Sequence, residues 1–225
     1  MVDEIRAALA AVADPEKAAP MQAYMKSTMP NLGVQKPARV AALRPMLRRH
    51  RLEDRAAWEE TIRLLWDDAS YREERYAATD LARYRAYGDW ATDIRSLELY
   101  DHLIVTGAWW DHVDEVAIKL VGPLLLVHPN ETAAVLRQWA RDSDRWRRRA
   151  SVICQIGSRD ATDTALLAEC ILANVDDSDF FLRKGIGWAL REHAKTDPDW
   201  VRAFATSYRA RLSPLSYREA TRTLP

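Results

Sequence analysis

The segment TGAWWDHVDEVA, residues 106–117, brings two tryptophans and a carboxylate close together. Trp109 and Trp110 are adjacent, so on a helix they point about 100° apart, and one can enter a core while the other faces out. Trp110 and Asp114 are four residues apart and share a face. The face of an aromatic ring attracts positive charge, and an ionised carboxylate supplies a full negative one. The pair therefore suits a cation. Two core tryptophans beside an exposed aspartate satisfy the same spacing.

A second set of polar groups falls into register with Asp114. WRRRAS (Trp146–Ser151) aligns with FLRKGI (Phe181–Ile186), which places Arg149 over Lys184 at an offset of 35 residues. The same step back from Arg149 reaches Asp114, and Arg75, in REERYAATDLARY, stands 39 residues before Asp114. Two stacked helices with their turns occupy about this length in a HEAT-type repeat. Equivalent positions in successive repeats line one surface, so Asp114, Arg149 and Lys184 are expected to form a row on its inner face. Arg148 lies one residue out of that register.

Three further positions complete the candidate set. Trp188, in KGIGWALREHAK, is a second aromatic wall or a core residue. Gly185 and Gly187 of the same segment each cost a helix roughly 1 kcal/mol relative to alanine. They admit another backbone at close range, and tight packing between repeats explains them equally well. In PMQAYMKSTMPNLGV, Tyr24 and Lys26 offer a ring and a cation to a substrate, although Tyr24 also fits a core. Met21 and Met25, four apart, are expected in the core.

The elements that must hold these groups read as helices throughout. Apolar residues recur at i, i+3, i+4, as in Ile62, Leu65, Trp66 and in Ile186, Ala189, Leu190. The breaks are short, and Asp14-Pro15, Asp197-Pro198 and Ser213-Pro214 each place a capping residue before a first-turn proline; His128-Pro129 marks another break. Glycine is scarce, with 7 in 225 residues, which disfavours a protein of strands and turns. About a dozen helices joined by tight turns are expected, with no linker long enough to separate domains. The expected architecture is all-α, a single HEAT-like repeat domain over residues 1–225, wound as a superhelical solenoid of antiparallel helix pairs.

Charge and composition narrow the class. Net charge is zero, with 33 basic and 33 acidic side chains, which taken alone argues against a nucleic-acid binder. The distribution is uneven: seven basic residues face two acidic ones between Lys36 and Arg55, and six face two between Arg137 and Arg149. Acid gathers elsewhere, at Asp67, Asp68, Glu73, Glu74 and at Asp176, Asp177, Asp179. Separated regions of this kind let a neutral protein bind a polyanion on one face; a solvated, arginine-rich surface is the plainer account. Cys154 and Cys170 sit in apolar helical patterns and read as buried structural thiols. The five histidines have no metal-ligand spacing and are expected at the surface or at helix ends. The start of the chain does not read as a targeting peptide, and no window approaches the roughly 18 apolar residues of a membrane span. The chain is expected to be cytoplasmic, without metal or cofactor.

PEKAAPMQAYMKSTMPNLGVQKPAR, LIVTGAWWDHVDEVA, DRWRRRASVICQI, FFLRKGIGWALREHAKTDP and SPLSYREATR, in this order from Pro15 to Arg222, together resemble the AlkD family of DNA alkylation-repair glycosylases. The resemblance implies a curved stack of HEAT-like repeats whose concave face holds double-stranded DNA. It implies release of 3-methyladenine, 7-methylguanine and related N3- or N7-alkylated purines in base excision repair, by a monomer without a cofactor, associated with the nucleoid when on DNA. It also implies that the lesion is not flipped into a deep pocket, unlike the practice of most base-processing enzymes. Trp110, Asp114 and Arg149 fall on the family's central positions, and Trp188 and Tyr24 on its flanking aromatic ones. Arg147-Arg148 departs from the more apolar pair expected there.

The chemistry implied suits these residues. An N3- or N7-alkylated purine is already cationic and leaves without protonation. Its departure generates an oxocarbenium-like sugar that Asp114 can stabilise. Trp110 and Trp188 would pack on the lesion nucleotide. Arg149, with Arg148, Lys184 and Lys26 as further contacts, would hold backbone phosphate and fix the carboxylate. Schiff-base chemistry at Lys184, and so a strand-cleaving lyase step, is not expected. A non-catalytic scaffold binding DNA or protein is the alternative; it needs the arginines but not Asp114.

Overall fold

The computed structural model describes residues 1–224, and every regular element among them is helical. The chain divides into two compact units, Met1–Ala91 and the residues from Thr92 onward.

The first unit contains α1 (Val2–Ala10), α2 (Pro15–Met25), α3 (Lys36–Arg49), α4 (Arg55–Asp67), α5 (Arg72–Ala82) and the short α6 (Gly88–Ala91). In α4 a stripe of Trp58, Thr61, Ile62, Leu65 and Trp66 at three- and four-residue spacing is buried, mainly against α5. Ile5 and Leu9 of α1 and Leu43 of α3 close the same core. Helix α2 is different, because none of its residues is buried. Met21 and Met25, expected in the core, are only half-buried and line a shallow cavity of about 200 Å³. The reason is how α2 is attached. Its ends are tied down rather than its face: the Asp14 N–H donates to the Leu32 carbonyl at 2.9 Å, and the loop after α2 folds back onto the Asp14 N-cap. Gly33, at φ +81°, makes that approach possible, since a Cβ there would collide with the Asp14 carbonyl. Buried Glu73 fastens the loop by accepting the N–H groups of Leu32, Gly33 and Val34 at 2.9, 3.0 and 3.0 Å.

The second unit contains α7 (Ser96–Gly107), α8 (Trp110–Val116), α9 (Gly122–Val127), α10 (Pro129–Trp139), α11 (Arg145–Ile153), α12 (Thr164–Leu172), α13 (Phe180–His193), α14 (Pro198–Ser207) and α15 (Pro214–Thr221). Helices α8, α11, α13 and α15 pack in succession, with α10, α12 and α14 lodged behind them. The repeat inferred from the 35-residue offset is visible in the caps. Asp144 accepts the first-turn N–H groups of Trp146 and Arg147 on α11, and Asp179 accepts those of Phe181 and Leu182 on α13. Pro15, Pro129, Pro198 and Pro214 all stand in first turns, as expected. Fifteen α-helices are present among the described residues, somewhat more than the dozen expected, because short pieces such as α6, α8 and α9 are separate.

Cys154 and Cys170 are buried and free; burial raises both thiol pKa values, that of Cys170 to about 11. His193 stands at the end of α13, as expected, with its ring edge-on to Trp200 at 5.3 Å, whereas His112 is buried within α8 and departs from the expectation. Among the described residues no helix is long and apolar enough to cross a membrane.

Candidate functional site

The two adjacent tryptophans are separated by a helix boundary. Trp109 is the extended N-cap of α8, at φ −150° and ψ 149°. Its ring packs against Trp146 at 6.1 Å and edge-on against Phe181 at 5.3 Å, while those two rings lie 5.1 Å apart. This aromatic cluster joins the starts of α8, α11 and α13. Trp110 is the first residue of α8 and is half-buried, with Asp114 one turn further along the same face.

Helix α11 brings Arg149 to Asp114. The Arg149 Nε donates to Oδ1 at 2.7 Å and Nη2 donates to Oδ2 at 2.8 Å, a two-pronged carboxylate contact. Nη1 donates to the Phe181 carbonyl at 2.5 Å. The two side chains are 6% and 14% exposed, so the pair lies largely out of water. Burial pushes the Asp114 carboxyl above the usual carboxylate range, the Arg149 bonds and charge oppose this, and the charges of Asp111 and Glu115 add to the rise. A carboxylate held this way is desolvated, oriented and strongly responsive to positive charge that develops beside it.

The row extends one position beyond the three residues that suggested it. Lys184, 35 residues after Arg149, donates to Glu219 at 3.0 Å, and Glu219 stands a further 35 residues on. Glu219 also holds Arg191. Trp188 is half-buried on the same helix, α13. Arg75 does not extend the pattern backwards. It turns toward α4, with Nε donating to the Trp66 carbonyl at 3.1 Å and the guanidinium 5.1 Å from the Trp66 ring. In that unit the comparable ion pair is Arg39–Asp80 at 2.8 Å, with Arg39 lying 5.0 Å from the Tyr76 ring.

The charge separation inferred from sequence is also corrected. Acidic residues distant in sequence fold back onto the second basic segment: Glu169 on Arg137, Asp179 on Arg145, Asp101 on Arg147, and Asp177 on Arg148 at 2.8 Å, while Asp142 within the segment also pairs with Arg147. With Arg149 on Asp114, only Arg141 of that segment has no carboxylate partner among the described residues. The first basic segment differs. Arg39 and Arg55 are paired, but Arg44, Arg48, Arg49 and Arg51 are exposed and form no ion pair among the described residues.

Tyr24 and Lys26 belong to the first unit. Tyr24 is 72% exposed on the last turn of α2, so the core alternative for it does not hold. Lys26 is the exposed, left-handed C-cap of that helix, at φ 51°. Tyr24 lines the shallow cavity with Met21, Met25 and Tyr76.

Residues 5–224 match the model of a family described as DNA alkylation repair enzyme. The chain belongs to that family. It is also similar to a solved structure described as a predicted DNA alkylation repair enzyme from Enterococcus faecalis. That similarity has a TM-score of 0.81 and 28% identity, and covers 94% of this chain and 96% of that one. No curated protein matches the chain. The family match spans both units and includes every candidate residue named above. Sequence reasoning missed Glu219, further along the row, and, nearer Asp114, the Phe181 carbonyl and the anchoring role of Trp109. Glu219 could have been found by one more 35-residue step. A carbonyl acceptor leaves no mark in residue type.

Proposed function

We propose that this DNA alkylation repair family member is a monofunctional, AlkD-type glycosylase that hydrolyses the N-glycosidic bond of cationic N3- and N7-alkylated purines in duplex DNA. The observation that carries this reading is the largely buried, doubly hydrogen-bonded Asp114, one helical turn from Trp110. A scaffold has no use for a carboxylate that is costly to desolvate, whereas an enzyme that generates a cationic sugar does.

In the reaction the C1′–N bond breaks and its electron pair passes to the alkylated ring, which becomes neutral as it leaves. Asp114 faces the positive charge that appears on the sugar. Water then forms the new bond at C1′ and loses a proton, with Asp114 oriented to receive it. The Trp110 and Trp188 rings give the lesion nucleotide a surface that favours positive charge. Arg149 acts on the carboxylate rather than on phosphate, since three of its N–H groups are engaged inside the protein. Phosphate contacts fall instead to exposed cations without an ion-pair partner among the described residues, above all Arg44, Arg48, Arg49 and Arg51. The base leaves without prior extrusion into a pocket, and Tyr24 and Lys26 contact the DNA from α2.

The test is release of free base from a duplex carrying a single 7-methylguanine, followed under single-turnover conditions. A protein that binds this duplex and releases no base is a scaffold.

A further inference from the structure

Two glycines interrupt α13, and they meet different neighbours. A Cβ on Gly187 would fall 2.5 Å from Glu219 Cβ and 3.0 Å from the Ser216 carbonyl oxygen, so Gly187 serves the packing of α15. A Cβ on Gly185 would meet the Arg149 guanidinium, 3.1 Å from Nη1, and then Ile153 Cγ2 at 3.4 Å. The carbonyl that Nη1 reaches belongs to Phe181, one helical turn before Gly185. Helical side chains lean toward the N-terminus and cover the turn before their own Cα. Any side chain at 185 would therefore lie over the place where the guanidinium docks.

We propose that Gly185 is a positioning residue: its missing side chain opens the Phe181 carbonyl to Arg149, and this third bond sets the orientation in which Arg149 holds both oxygens of Asp114. The proposal rests on the glycosylase reading for its effect on rate. A guanidinium is planar and its donors have a fixed fork geometry, so anchoring Nη1 on α13 aims Nε and Nη2 at α8. The arrangement links three successive helices through one side chain. A methyl group at 185 displaces the flexible end of Arg149 before it displaces backbone. Nη1 must give by a few tenths of an ångström, which strains its bond to the Phe181 carbonyl and tilts the fork relative to Asp114. The fold survives, because alanine favours a helix over glycine by about 1 kcal/mol.

The test compares Gly185→Ala with Gly187→Ala by three measurements: single-turnover release of 7-methylguanine across pH, dissociation constant for the same duplex, and NMR titration of the Asp114 carboxyl carbon. Gly185→Ala is expected to keep its helical spectrum and DNA affinity and to slow the chemical step by about tenfold to a hundredfold. Its Asp114 titration should move to higher pH, because burial then acts with less opposition from Arg149. Gly187→Ala is expected to lower the melting temperature without moving that titration. In an Arg149→Lys background, which has no fork to aim, Gly185→Ala should add no further loss of rate. An unchanged Asp114 titration in Gly185→Ala, or an equal shift in Gly187→Ala, would overturn the proposal. Failure of the wild type to release base refutes the glycosylase reading instead, and the carboxyl titration still decides whether Gly185 seats Arg149.

Discussion

Arg149 grips Asp114 with two parallel hydrogen bonds, 2.7 and 2.8 Å long, across a sequence separation of 35 residues. One repeat of the fold separates the two residues, so the pair is a direct product of repeat stacking. Its burial distinguishes it from the exposed ion pairs around it, such as Arg137–Glu169, which are worth little.

Removing Arg149 leaves a buried carboxylate without its counter-charge. Arg149→Ala is expected to destabilise the protein by about 3–5 kcal/mol, the usual cost of breaking a buried pair from one side. Thermal unfolding should show this as a loss of roughly 10 °C for a chain of this size. Excision should fall with it, while DNA affinity of the folded variant at fixed salt stays close to the wild-type value. A large loss of affinity with an unchanged melting temperature would instead make Arg149 a phosphate anchor.

The pH dependence has a definite sign. On the proposed mechanism Asp114 acts in its ionised form, and burial raises its pKa above the usual carboxylate range. The single-turnover rate should rise with pH through that raised pKa and then level off. For stability the same shift works in the opposite direction. A carboxyl with a raised folded-state pKa contributes stability that is fully present below its unfolded value, and loses it as pH rises through the folded one. A rate–pH profile whose acid limb lies at or below the ordinary aspartate pKa would contradict this account.

Salt dependence locates the DNA contacts. Each phosphate neutralised contributes about −0.9 to the slope of log affinity against log salt. Replacing Arg44, Arg48, Arg49 and Arg51 by glutamine should flatten the slope by up to about 3.6. Arg148→Gln should change it little, because Asp177 already engages that side chain. Equal effects from the two variants would mean that the internal ion pairs open on DNA.

The fold was largely legible in the sequence. Capping residues before prolines, the apolar stripes and the 35-residue offset each depend on local spacing, and local spacing is what a helical repeat is made of. Asp114 and Arg149 were legible for the same reason. What could not be read depended on contacts between distant segments. Charge counts along the chain suggested a basic patch at 137–149, but Asp101, Asp177, Asp179 and Glu169 return to neutralise it. Met21 and Met25 carry a core spacing on a helix that is tied at its ends and buries nothing. His112 is polar by type, yet lies inside because α8 packs against both α7 and α11. Arg75 fits the repeat arithmetic only roughly, at 39 residues instead of 35, and its side chain turns to Trp66 of α4, a contact that spacing does not reveal.

The central claim is that Asp114 stabilises a cationic sugar. Asp114→Asn keeps the shape of the side chain and removes its charge. The most direct measurement is the single-turnover rate of base release from a 7-methylguanine duplex, for wild type and Asp114→Asn, with DNA affinity measured alongside. The account predicts a loss of about a hundredfold or more in rate, by analogy with removal of other preorganised electrostatic groups. Affinity should be retained or improved, because a carboxylate near phosphates repels them in the ground state. Equal rates for the two proteins would contradict the claim and remove Asp114 from the mechanism.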